Sequence, residues 1–120
     1  MTTLTLFLVA LIALEHLGIM LIEMFAGPKT QARTFDMPLN FVSQTHTRTA
    51  LANQGIYNGA LALLIIFSLF IFNGAMLMAV IRLFMIFIMI VGAYGGLTVT
   101  RKIFIAQLLP ATIILILSFL

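Results

Sequence analysis

The chain has 120 residues, of which only nine carry a fixed charge (six Lys or Arg, three Asp or Glu), while 63% are hydrophobic and the mean hydropathy is +1.26. That is too little polar surface to cover a globular exterior in water, which excludes a soluble domain. A bilayer span takes about 20 apolar residues, so four spans with short connections account for the length, and residues 1–120 read as one integral membrane domain.

Taken in chain order, the first apolar run covers about residues 4–25 and stops at Gly27-Pro28, where flexibility and a missing donor end a helix. Met1-Thr2-Thr3 lacks the basic segment of a signal peptide, so this run is expected to stay as a permanent span. The only polar stretch follows, from Lys29 to Arg48 with Pro38 inside it, and reads as a surface loop with a short interfacial segment near 35–42. A second span over about 49–72 ends at Asn73-Gly74, a turn so tight that the third span, about 75–97, must return antiparallel to it. Arg101-Lys102 marks the interface before a fourth span at about 103–120. The expected fold is therefore all-α: a four-helix transmembrane bundle in up-down order.

Lys29, Arg33, Arg48, Arg101 and Lys102 all fall in the loops after spans one and three, whereas the turn between spans two and three holds no basic residue. Positive charge accumulates on the cytoplasmic side, so both termini are expected outside, in a multi-pass protein of the plasma membrane. Scattered in this way, the basic residues form no phosphate-tracking patch despite a pI near 10.0, and nucleic acid is not an expected partner. Membrane lipids are expected partners, and self-association is left open.

There is no cysteine, which excludes disulfides, thiolate ligands and dithiol chemistry. Adjacent Glu15-His16 matches neither the Glu-x-x-His spacing of di-iron helices nor the His pair of zinc proteases, so no metal and no cofactor is expected. Ser43, Ser68 and Ser118 lie away from the other polar residues, which weakens any case for a serine nucleophile.

Threading the spans in alternating directions brings the polar residues to one half of the membrane. Glu15 and His16 lie mid-way along span one, with Glu23 nearer the basic side. Span two carries Asn53, Gln54, Tyr57 and Asn58 in its first turns, span three carries Tyr94 late, and span four carries Gln107 early. At about 100° per residue, His16 and Glu23 are nearly in line, and the four polar residues of span two fill one arc. Small residues four apart allow close helix approach. Gly55 and Gly59 on span two, with Gly92 and Gly96 on span three, are accordingly expected to form the contact between those two spans, leaving the amide face of span two for span one.

Several runs carry a resemblance to a known family: Glu15-His16, Glu23-Met24-Phe25, the stretch Ala52-Asn53-Gln54-Gly55-Ile56-Tyr57-Asn58-Gly59, Gly92-Ala93-Tyr94-Gly95, Arg101-Lys102-Ile103, and Gln107 to Pro110-Ala111. Together they resemble, over essentially the whole chain, the small membrane proteins catalogued as domain of unknown function 1304. The resemblance implies a four-helix membrane fold and brings no activity or catalytic residue with it.

An ionisable group inside a membrane must gain partners or water, or stay protonated, which makes Glu15 and Glu23 functional candidates. The leading expectation is a cytoplasm-facing polar pocket that binds a small amphipathic or lipid-like molecule. Its expected contacts are Glu15, His16, Glu23, Asn53, Gln54, Tyr57, Asn58, Tyr94 and Gln107. Glu15, His16 and Glu23 are also the candidates for acid-base catalysis on a lipid-like substrate. Proton-coupled export through Glu15 and a purely structural, partner-binding role are the other readings. Arg82, in the far half of span three, is expected to reach the interface, with an ion pair to Glu15 as the alternative.

Overall fold

The computed structural model describes residues 1–120 and contains helices and turns with no strand. Helix α1 covers Thr3–Phe25, and the Thr2 side chain caps it by accepting from the Thr5 N–H at 3.2 Å. Pro28 then acts in two ways. It holds the preceding Gly27 extended, which stops α1, and it opens α2 (Pro28–Phe35) from the first-turn position where a missing N–H costs nothing. The stretch expected as a surface loop is therefore mostly helical. Asp36 closes α2 in the left-handed region at φ 53°, and Pro38 leads into the short α3 (Leu39–Val42).

Helix α4 covers Thr45–Ile71, a turn more than its apolar residues alone indicate, and α5 covers Gly74–Thr98. Gly74 sits at φ +52°, a conformation a side chain disfavours, and this lets the chain reverse within two residues. Three helices, α1, α4 and α5, are long and apolar enough to cross a membrane. A shorter apolar helix, Phe104–Leu117, follows. Its first part, Phe104–Leu108, is a π-helical turn and its remainder, Leu109–Leu117, is α6. Pro110 explains the irregularity: its ring excludes the carbonyl four residues back, and the wider π turn, in which the Leu109 N–H reaches the Phe104 carbonyl, makes room for it.

Each long helix buries one narrow stripe. On α4 the stripe is Leu51, Gly55, Gly59, Ala62, Ile65 and Ser68; on α5 it is Leu77, Ile81, Met85, Ile88, Gly92 and Gly96. The apolar core forms in the half of the molecule near the Asn73-Gly74 turn. There Val9, Ile12 and Ala13 of α1 meet Ile65, then Ile81, Met85 and Ile88 of α5, and Ala111 and Ile114 of α6.

The glycine stripes do not meet each other, contrary to the expectation from their spacing. Gly55 and Gly59 face α1: a Cβ on Gly55 would stand 2.6 Å from Met24 Cγ and 3.1 Å from Glu23 Cβ, and one on Gly59 would strike the Met20 thioether. Gly92 and Gly96 instead receive the π-helical turn, where a Cβ on Gly92 would stand 3.0 Å from the Leu108 backbone nitrogen and one on Gly96 would enter the Phe104 ring. The close pairs are therefore α1 with α4, and α5 with the π turn. Both glycines and Asn58 of α4 address α1, because Gly55, Asn58 and Gly59 are near neighbours around the helix.

This difference in neighbours ranks two substitutions. In Gly92→Ala the added methyl meets backbone, which cannot yield, so a loss of about 1–3 kcal/mol is expected. In Gly59→Ala it meets a flexible methionine end, and a smaller loss is expected. Thermal unfolding in detergent should place Gly92→Ala below Gly59→Ala; the reverse order would contradict the packing.

Candidate functional site

The carbonyl end of α1 is unusually well served. Gln31, 1% exposed on α2, donates from Nε2 to the carbonyls of Ile22 (3.0 Å) and Glu23 (3.1 Å). Its own Oε1 accepts from Arg48 Nη1 at 3.2 Å, and Arg48 Nη2 reaches the Ala26 carbonyl at 3.3 Å. A guanidinium from α4 thus supplies the positive partner that the last turn of α1 lacks in its own sequence. Arg48 has a second role beyond marking the basic side, and Gln31 was not among the residues singled out from the sequence. The clue to it was Pro28, which starts a helix and so fixes the face on which Gln31 returns to α1.

Glu23 lies in that same last turn and is 4% exposed. Its Oε2 accepts from Asn58 Nδ2 at 2.8 Å, joining α1 to α4 across the glycine contact. On the far side, Asp36 accepts from the Thr100 hydroxyl and, at 2.9 Å, from Lys102 Nζ, which also donates to the Arg33 carbonyl at 2.9 Å. The hydrogen bond from Thr100, followed by that from Lys102, holds the Asp36 carboxyl below its usual value. This exposed tether ties the end of α2 to the turn after α5.

Between these two polar joints lies a cavity of about 730 Å³. Ile19 and Glu23 of α1 line it, with Gln54, Tyr57, Asn58 and Leu61 from α4, Phe87, Ile90, Val91 and Tyr94 from α5, and Gln107 from the π turn. Thr34, Phe35 and Met37 also line it, at the basic end. Helices α4 and α5 both contribute to the core near their shared turn and both line the cavity in this half, where Tyr57 and Tyr94 are each 72% exposed.

Six residues expected at the site therefore line one space: Glu23, Gln54, Tyr57, Asn58, Tyr94 and Gln107. Glu15, His16 and Asn53 do not line it. His16 is fully buried on α1, where Nδ1 donates to the Ile12 carbonyl at 2.8 Å while Nε2 has no partner. Glu15 is half-buried and Asn53 is exposed. Arg82 does not pair with Glu15. It donates to the hydroxyl (3.0 Å) and carbonyl of Ser118, and its guanidinium lies 3.8 Å from the centre of the Phe119 ring, closing the end of α6 much as Arg48 closes α1.

The family model described as "Protein of unknown function (DUF1304)" matches residues 10–119. The chain is also 42% identical over 120 residues to the "Uncharacterized protein YpaA" of Lactococcus lactis subsp. lactis (strain IL1403), covering 99% of each. No solved structure matches it.

The Gln31 joint yields a quantitative expectation. Gln31→Leu removes three hydrogen bonds and leaves Arg48 short of a partner, which at about 1 kcal/mol net for each bond amounts to a loss of about 2–3 kcal/mol. A melting midpoint in detergent indistinguishable from wild type would show that the joint contributes little.

Proposed function

The chain belongs to the DUF1304 family, and from that premise we propose that it is a multi-pass plasma-membrane protein whose side-opening cavity binds a small amphipathic molecule. In this reading four segments cross the bilayer, the fourth being the shorter helix Phe104–Leu117. The basic end faces the cytoplasm and both termini lie outside. Three apolar helices of 23, 27 and 25 residues support it, each long enough for a hydrocarbon layer of about 30 Å.

One observation carries the binding reading: the cavity is mostly apolar but has the Glu23–Asn58 pair in its wall. Its volume of about 730 Å³ falls in the range of sites for small molecules, and such sites combine apolar walls with a few orienting polar groups. A ligand entering between α4 and α5 would come from the bilayer, lay its apolar part against Phe87, Ile90 and Leu61, and present its polar part to Glu23, Asn58, Gln54 and Gln107. Glu15 and His16 stand outside the lining, so binding requires neither. Export through Glu15 gains no support from the cavity's position.

Native mass spectrometry of protein released from detergent tests the proposal. Wild type is expected to carry a co-purified small molecule, and Leu61→Trp, which fills the cavity, and Asn58→Leu, which removes the donor to Glu23, are each expected to lose most of it. Spectra identical across the three proteins would refute the binding reading.

A further inference from the structure

The wall of the cavity holds a carboxylate for which the protein provides no cation. Glu23 is 4% exposed, and its Oε2 is taken by Asn58. Oε1 accepts no hydrogen bond from the protein, yet it is not sealed off: among side-chain polar atoms, only His16 Nε2 is both enclosed and unpartnered. Glu23 belongs to the cavity wall, so Oε1 is left able to accept from a group bound in the cavity. The one cationic side chain in the lining is Lys102, and its ammonium is committed at the basic end to Asp36 and to the Arg33 carbonyl, both at 2.9 Å. Arg48 is likewise engaged with Gln31 and Ala26.

A buried carboxyl with a single amide donor and no counter-charge is expensive to ionise and otherwise stays protonated, and a cation brought by a ligand would stabilise its ionised form. The surroundings suit such a ligand. Tyr57 and Tyr94 line the cavity and are largely exposed, and aromatic rings attract positive charge, while Phe87, Ile90, Val91 and Leu61 offer an apolar wall to the body that carries it.

Resting on the binding reading above, we infer that the occupant is a lipophilic monocation, an ammonium or phosphonium centre on an apolar body, with its charge set against Glu23 Oε1 between Tyr57 and Tyr94. A neutral amphiphile would use the same walls but leave the carboxylate without a counter-charge.

Titration calorimetry on the full chain in nonionic detergent tests this, with tetraphenylphosphonium as a permanent cation and decanol as a neutral probe. Tetraphenylphosphonium is expected to bind the wild type, at least about tenfold more weakly to Glu23→Gln, and with affinity partly restored in Glu23→Asp. Tyr94→Leu is expected to weaken it and Tyr94→Phe to retain it, because the ring face rather than the hydroxyl meets the charge. Decanol is expected to lose far less affinity than tetraphenylphosphonium in Glu23→Gln, because a hydroxyl can hydrogen-bond to the glutamine amide in place of the carboxyl. Competition separates two sources of the cation: displacement by octadecylamine indicates an amine resident in the bilayer, displacement by benzyltrimethylammonium indicates a free cation, and displacement by neither overturns the inference. Equal tetraphenylphosphonium affinity in wild type and Glu23→Gln also overturns it. Binding of decanol without binding of tetraphenylphosphonium overturns the cation while leaving the amphiphile site intact, whereas binding of neither probe removes both.

Discussion

The structure depends on how the carbonyl end of α1 is satisfied. A helix leaves its last carbonyls without partners, and beside them α1 carries Glu23, so one turn concentrates more acceptors than a low-dielectric setting tolerates. The chain answers from two directions. Pro28 folds α2 back so that Gln31 bonds Ile22 and Glu23, and α4 contributes Arg48 to Ala26 and Asn58 to the Glu23 carboxylate. These contacts determine where α2 lies and how α4 is rotated against α1. With α4 so placed, the width of the space in front of Glu23 follows from the position of α5.

The position of α5 is set by a second constraint at the other side of the cavity. Pro110 forces a π-helical turn, and a wide turn packs closely only against a helix without side chains at the contact. The stripe of Gly92 and Gly96 provides that surface. The glycines thereby commit α5 to the π turn and α4 to α1, and neither stripe remains to draw α4 and α5 together. Away from the glycines, Ile65 and the α5 residues Ile81, Met85 and Ile88 close the core, and the cavity begins where that apolar contact ends. The tether from Asp36 to Thr100 and Lys102 then spans the basic end.

Much of this was legible in the sequence because it rests on local rules. Apolar run length located α1, α4 and α5, Asn73-Gly74 located the hairpin, and alternating directions placed Glu23, Gln54, Tyr57, Asn58, Tyr94 and Gln107 at a common depth, where the structure gathers them around one cavity. What escaped were choices among partners. Spacing shows that Gly55 and Gly59 form a contact surface but not which helix uses it, since α1 and α5 are both apolar and both adjacent. The helical angle that aligns His16 with Glu23 is correct, and both are buried on one side of α1. Their depths differ by about 10 Å, however, so His16 enters the core while Glu23 reaches the cavity. Gln31 and Thr100 were hidden for another reason: each acts on a helix end from a segment that composition marks only as loop.

The central claim is that the polar residues of this half surround an accessible space and do not simply hold the helices together. The chain has no cysteine of its own, so single cysteines report cleanly. Gln107 lines the back of the cavity, and Ala111, about one turn further along the same helix, is fully buried in the core. A small membrane-permeant maleimide should modify Gln107→Cys readily and leave Ala111→Cys unmodified in the folded protein. Protection of both positions would contradict the account, since it would mean that the helices close upon these residues and the space does not exist.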